Sequence, residues 1–284
     1  SMATTAPDLA TEIASNIVST KPELVSEIAS AMFVAVPDQV EDIASTLISL
    51  DAEYAVDIVS GALMLEGVAP TVIETVLSSN PEATASVVIE VINLESVNEN
   101  YNATLINEIA NINADVAMKF SDTVSTISPS IAGEMVGNLA LINPDLSADI
   151  SISMIAANPE SSAIIATEVI NILSVTATAD MIQQIQLNDP NAASNFTNKI
   201  AEVDPQVAGN LSFSLSETNP EFAMSMTLEM VSVNPEAAKE ITSSLLGNES
   251  DFLPSFINNI IIENKNLVDD IVGVIIDQSS ESAV

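Results

Sequence analysis

Prolines recur along this chain at intervals of 15 residues. Three runs keep the interval: Pro7, Pro22 and Pro37, then Pro129, Pro144 and Pro159, then Pro190, Pro205, Pro220 and Pro235. Proline lacks the backbone N–H that a strand or a helix interior needs, but the first position of an α-helix leaves that group without a partner anyway. The spacing therefore predicts a succession of short α-helices that begin at these prolines, and it disfavours β-strands.

The residues around the prolines are also typical of helix starts. Asn, Ser or Asp often stands before the proline, where a side-chain oxygen can accept a hydrogen bond from the first turn. These predicted N-caps are Asn80, Ser128, Asn143, Asn158, Asp189, Asp204, Asn219 and Asn234. An acidic residue usually follows, which suits the positive end of the helix dipole. Apolar residues then recur at helical spacing, as at Leu24, Ile28 and Met32.

The same phase, continued through units that lack proline, predicts eighteen helices. Three predicted starts break step, because Pro70, Ala103 and Ala179 each lie only 11 residues before the next start. A difference of four residues is about one helical turn. At these three places we expect a longer helix, followed by a helix that is one turn shorter.

Helices of this length are marginal alone and need neighbours to bury their apolar faces. Two units form a 30-residue hairpin, and stacked hairpins bury one continuous spine. The predicted fold is all-α, an α-solenoid of about eighteen short helices and about 90 Å long at a helix spacing of about 10 Å; the alternative is a compact all-α helical array. We expect residues 1–6 to be a tag remnant or linker, 7–278 a single continuous α-helical repeat domain, and 279–284 a disordered C-terminal tail.

The charge of the chain limits its partners. The formal net charge is −35, and the only basic residues are five lysines. Because nucleic-acid affinity depends on Lys and Arg that neutralise phosphates, we expect no nucleic-acid binding. No apolar run reaches the length of a membrane span, so no membrane insertion is expected either. The expected partners are a protein or further copies of this chain, together with divalent cations.

Composition also disfavours catalysis. The chain contains no Cys, His or Trp, and it lacks Arg. Ser–His and Cys–His nucleophiles and zinc sites built on Cys or His therefore cannot form. No Gly-rich phosphate loop is present. We predict a protein that is not an enzyme, with no catalytic and no cofactor-binding residues.

A second acidic position recurs five residues into the unit. Stacked hairpins would bring such carboxylates near one another, and like charges repel unless water or cations separate them. Clusters of oxygen ligands suit Ca²⁺, which is the one candidate cofactor. The candidate metal ligands are Glu12, Glu27, Asp42, Asp57, Glu134 and Asp149. The alternative is a solvated acidic face without specific sites.

The sequence favours a structural or adhesive helical-repeat protein, a segment of a surface or extracellular assembly whose acidic surface binds divalent cations. The alternative function is a peptide- or protein-binding α-solenoid scaffold, to which Asn195, Asn198, Asn258 and Asn259 could contribute. An extracellular or cell-surface location is expected, with the cytoplasm as the alternative.

Overall fold

The computed structural model of the chain describes residues 9–65, 67–94 and 101–281. These residues form eighteen α-helices and no strand, so the all-α prediction is confirmed. The helices are α1 (Ala10–Thr20), α2 (Val25–Ala35), α3 (Val40–Leu50), α4 (Ala55–Ala62), α5 (Ala69–Ser79), α6 (Thr84–Ile92), α7 (Tyr101–Ile112), α8 (Ala114–Ile127), α9 (Pro129–Ala140), α10 (Pro144–Ala157), α11 (Ser162–Ile172), α12 (Val175–Asn188), α13 (Pro190–Val203), α14 (Pro205–Thr218), α15 (Pro220–Val233), α16 (Ala237–Gly247), α17 (Leu253–Glu263) and α18 (Val268–Glu281).

Most prolines of the regular runs mark where helical backbone begins; Pro235 instead lies in a turn, and its helix begins at Ala237. The α-helix starts at the proline itself in α9, α10, α13, α14 and α15. In six other repeats a single turn of tighter 3-10 helix precedes the α-helix, as is frequent at helix N-termini. These turns are Pro22–Leu24, Pro37–Gln39, Ala52–Tyr54, Pro81–Ala83, Pro159–Ser161 and Lys265–Leu267.

Side-chain caps close several of these starts. Asp189 Oδ1 accepts hydrogen bonds from the backbone N–H groups of Asn191 and Ala192 at 2.9 and 3.1 Å. Asp204 caps α14 in the same way, with both distances at 3.0 Å. Asn80 has a different role, because its Nδ2 donates to the carbonyl oxygen of Ala52 at 3.0 Å and its side chain forms no cap. A residue type that suits a helix cap can therefore instead form a hydrogen bond to a neighbouring repeat.

The buried positions recur with the same spacing as the prolines. In α13 to α16 the third, sixth, seventh and tenth residues after the proline are all buried. They are Ala193, Ala208, Ala223 and Ala238; Phe196, Leu211, Met226 and Ile241; Thr197, Ser212, Thr227 and Thr242; and Ile200, Leu215, Met230 and Leu245. Because one face of each of these four helices is used in the same way, each helix offers its neighbours a similar apolar surface.

This burial pattern corrects the predicted start at Ala179. Helix α12 begins at Val175, 15 residues before Pro190, and its buried residues include Thr178, Met181, Ile182 and Ile185, which match the series of α13 to α16. Ser174 Oγ caps the helix by accepting from the N–H of Ala177 at 3.2 Å. The expected short helix from Ala179 is therefore wrong.

The starts expected at Pro70 and Ala103 shift in the same direction. Helix α5 begins at Ala69 and α7 at Tyr101, so each starts before the predicted residue. The expected longer helices before them are also absent, since α4 ends at Ala62, α6 at Ile92 and α11 at Ile172. After α4 the chain turns through Gly67, whose φ of 73° lies in the left-handed region that glycine tolerates.

Contacts between Cα atoms divide the chain into two compact units, residues 1–131 (unit 1) and 132–284 (unit 2). Within each unit, a helix packs against the helix two further along and commonly against the next one as well. Small residues permit the closest approaches: a β-carbon on Gly209 of α14 would lie 2.5 Å from the carbonyl oxygen of Glu240 in α16. The last helix runs to Glu281, three residues beyond the expected end of the repeat domain at 278.

Within the described residues, no helix combines the length and the apolar character needed to cross a membrane. The expected linker over 1–6 and the end of the expected tail, 282–284, lie outside the described residues. One continuous solenoid domain over 7–278 stays a prediction.

Candidate functional site

The six candidate metal ligands are all exposed, and each lies on a different helix. Glu12, Glu27, Asp42 and Asp57 stand on α1 to α4 of unit 1, and Glu134 and Asp149 stand on α9 and α10 of unit 2. Asp149 Oδ1 accepts a hydrogen bond from Asn188 Nδ2 at 2.9 Å. The described part of the chain contains no group of three or more acidic side chains placed to hold a metal ion. The recurring acids therefore form a solvent-facing series and are not brought together into one centre.

The asparagines suggested as peptide contacts are spread over two helices. Asn195 and Asn198 lie on α13, and Asn258 and Asn259 lie on α17. Asn198 Nδ2 donates to Ser194 Oγ at 3.5 Å, while Asn259 Nδ2 donates to the carbonyl oxygen of Ser255 at 2.8 Å. The partner of Asn259 is one turn away on its own helix, whereas Asn198 belongs to a polar group next to a cleft.

That cleft lies between α13 and α15 in unit 2 and has a volume of about 380 Å³. Ser194 Oγ donates to the carboxylate of Glu229 across it, and Asn191, Asn219 and Glu221 line it as well. Carboxylate and amide oxygens there could accept hydrogen bonds from a peptide or from cationic groups. Serine and glutamate are 35 residues apart in the sequence, so only the packing of a helix against the helix two further along brings them together.

Three of the five lysines belong to unit 2, and two of them pair with acids. Lys199 Nζ lies 2.8 Å from Glu202, one turn along α13. Lys239 Nζ lies 3.4 Å from Asp270 and 3.6 Å from Glu236. The carboxylate of Asp270, and then that of Glu236, raises the pKa of Lys239 above its ordinary value because each favours the charged ammonium.

Tyr101 is the second group with a shifted pKa. Partial burial, reinforced by the negative charge of Glu108, raises the pKa of its phenol because both disfavour the phenolate. Its hydroxyl donates to the carbonyl oxygen of Leu63 at 3.2 Å. The phenol therefore stays protonated and joins the start of α7 to the end of α4.

One edge of unit 2 exposes apolar side chains at the ends of alternate helices. Helices α13 and α14 pack together and are joined by Asp204 alone, so the chain reverses its direction at Asp204. It reverses again at each following connection between helices, and successive connections lie on opposite edges of unit 2. Where α9, α13, α15 and α17 end, the exposed residues are Ile142, Val203, Val233 and Ile262, with exposed fractions of 48, 44, 44 and 64%. We name this row the apolar edge. At the end of α11 the row is interrupted, because Leu173 is buried.

A hydrogen bond shows that neighbouring members of the row are close. Asn234, which follows Val233, donates from Nδ2 to the carbonyl oxygen of Ala201 at 2.7 Å, two residues before Val203. The ends of α13 and α15 therefore lie side by side. Apolar side chains exposed in a row, unlike single ones, are typical of a surface that contacts another molecule.

The opposite edge of unit 2 has a different composition. The last residues of α10, α12 and α14 are Ala157, Asn188 and Thr218, in place of the valines of the apolar edge. Leu187, which is 74% exposed, is the exception. The exposed charges here are acidic, namely Glu217, Glu221, Glu249 and Asp251, and we name them the acidic edge. Equivalent places in the local structure thus carry different side chains on the two edges.

Comparisons with protein-family models, curated proteins and solved structures find no match for this chain.

Proposed function

We propose that this chain is a structural or adhesive helical-repeat protein and not an enzyme, and that it is a segment of a surface or extracellular assembly. The recurrence of the buried positions supports the proposal most directly. Ala193, Ala208, Ala223 and Ala238 are completely buried at 15-residue intervals, and the residues that follow them at helical spacing are buried as well. A chain built in this way gains length by adding similar helices, each held by its neighbours in the array.

The surface left outside this core is acidic, and that suits an assembly held together in a salty medium. The net charge of −35 favours solubility and opposes close approach of two chains. Divalent cations bound to exposed acids such as Glu12, Asp42 and Asp149 would reduce that repulsion and link one acidic surface to another. In this proposal the cations are held individually by solvent-facing carboxylates and not in a shared pocket.

Antibody labelling of the cells that produce the protein tests this function. An antibody raised against the folded chain should label intact cells, and a wash with a divalent-cation chelator should release part of the label into the medium. Labelling that appears only after permeabilisation would exclude a surface role. An antibody against a cytoplasmic marker, applied to the same cells, controls for leakage.

A peptide-binding scaffold is the second candidate, and the cleft between α13 and α15 favours it. Glu221 and Glu229 give the cleft a negative potential, and Asn191 and Asn219 offer both donors and acceptors to a peptide backbone. The chemistry fits a cationic peptide. This role and the structural one use different surfaces of unit 2, since the cleft residues do not include the apolar edge.

A further inference from the structure

We propose that the apolar edge is a homotypic interface, at which a second copy of this chain binds. The inference rests on the proposed structural function and names the partner of one surface. The apolar edge consists of Val203, Val233 and Ile262, with Ile142 beyond the interruption at Leu173.

The apolar side chains at these positions are only partly covered within the folded chain. Val203 and Val233 are the last residues of their helices, Ile262 is the last but one of α17, and Ile142 follows the end of α9 by two residues. Each leaves 44% or more of its surface in water. The equivalent positions on the opposite edge are occupied by Ala157, Asn188 and Thr218, so the helical backbone accepts small or polar residues there equally well. Burial of the apolar row against a partner would remove that surface from water, which is favourable.

The charges beside the row identify the partner. All three lysines of unit 2 adjoin the apolar edge: Lys199 stands one turn before Val203, Lys239 lies in the first turn of α16, and Lys265 follows the end of α17. Exposed acids lie among them, at Glu202, Glu236 and Glu263. The edge therefore carries both signs of charge, whereas the acidic edge carries one.

A surface with both signs is complementary to itself. When a two-fold axis relates two identical edges, residue i of one copy faces residue j of the other, and the reverse contact follows by symmetry. Lys199 and Lys239 each contact an acid of their own chain, and across the axis these lysines and Lys265 can also face acids of the partner while the valine and isoleucine side chains meet between them. A cationic peptide would match the acidic edge better, because no lysine adjoins that edge.

The electrostatics predict an unusual response to salt. Two chains of net charge −35 repel each other over distances that salt screens, while the apolar contact is insensitive to screening. Dimerisation should therefore strengthen as salt is added. Binding of a basic partner would weaken under the same change.

Sedimentation equilibrium of the complete chain, at rising protein concentration and at low and high salt, tests the proposal. The wild-type mass should move from 29.7 kDa toward twice that value, and more readily at high salt. The combined variant Val203→Ser, Val233→Ser and Ile262→Ser should remain a monomer. Leu187→Ser removes an exposed apolar residue of the opposite edge and should dimerise as the wild type does. Circular dichroism of each variant checks that the helices are retained.

A cross-linking experiment covers the case in which the combined variant does not fold. The chain has no cysteine, so a single Val233→Cys substitution gives each copy one thiol at the middle of the row of three. Mild oxidation should link two such chains, and Leu187→Cys should give several-fold less linked product. A wild-type chain that stays monomeric throughout, or equal linking at both positions, would overturn the second copy as the occupant. Failure of this kind leaves the surface-labelling result untouched, so the two proposals can be judged separately.

Discussion

Single hydroxyl groups in the core differ in whether a partner satisfies them. Thr197, Ser212 and Thr242 occupy the same buried position in successive helices and donate to the carbonyl oxygen four residues earlier, at 2.7 to 3.0 Å. Thr227 occupies this position in α15 and is completely buried, yet among the described residues its Oγ1 has no partner. A buried hydroxyl without a partner loses its hydration and gains nothing in return.

Replacing that hydroxyl with a methyl group should therefore stabilise the chain. Thr227→Val keeps the shape of the side chain and should raise the free energy of unfolding by about 1 kcal/mol, measured by urea denaturation. The matched control is Thr242→Val, which removes a hydroxyl bonded at 2.7 Å and should be neutral or destabilising. Equal effects of the two substitutions would show that the hydrogen bond does not distinguish these sites.

The packing of whole helices depends on glycine where two of them approach most closely. Gly209 faces the backbone of α16, and a β-carbon there would lie 2.5 Å from the carbonyl oxygen and 2.7 Å from the carbonyl carbon of Glu240. Backbone atoms of a packed helix cannot rotate away as a flexible side chain can. Gly273 in α18 differs, because no atom beyond the adjoining backbone of its own helix lies within 4 Å of the position its β-carbon would take.

Alanine at these two glycines should have opposite effects. Gly209→Ala should force α14 and α16 apart and lower the free energy of unfolding by about 1–3 kcal/mol. Gly273→Ala should raise it by up to about 1 kcal/mol, because alanine restricts the unfolded chain and favours a helix. Thermal and urea unfolding of both variants provides the measurement. An unaffected Gly209→Ala variant would show that the close approach of α14 and α16 is not limiting, and a destabilised Gly273→Ala variant would contradict the open surroundings of Gly273.

At the scale of elements, most prolines of the regular 15-residue runs were reliable predictors of helix starts, whereas the starts extrapolated to Ala103 and Ala179 were not. Starts such as Pro190 and Pro205 could be placed from sequence because the steric rule for proline is local. The start at Val175 was missed because its signal is Ser174 together with a buried series that begins at Thr178, and the prediction extrapolated instead to Ala179. A local spacing rule could not show that the extra residues near Ala62 and Ile92 fall after the helix ends.

The candidate sites were less predictable than the helices. The sequence placed acids such as Glu27 and Asp57 at one recurring position, and the structure finds them exposed, but sequence spacing could not say whether different helices bring them together. The link between Ser194 and Glu229 depends on packing between helices that are not consecutive. The apolar edge could not be predicted for a similar reason, because a valine at a helix end is buried or exposed according to the helices packed around it.

At the scale of the whole molecule, the central claim is that similar helices pack in series along the chain. Within each of the two compact units, a helix packs against the helix two further along, as this claim requires. Side-chain hydrogen bonds between such helices join residues about one 30-residue hairpin apart or slightly more, as in Gln183 to Thr218 and Gln278 to Ser243. The sequence extends the same relation through both units and predicts one elongated solenoid.

Small-angle X-ray scattering of the complete chain tests this claim most directly. The measurement is made at low salt and low protein concentration, where the monomer prevails. A solenoid of about 90 Å should give a radius of gyration of about 27 Å, against about 19 Å for a compact domain of the same length. The account predicts the larger value and a distance distribution with an extended tail. A symmetric distribution with a radius near the smaller value would contradict it.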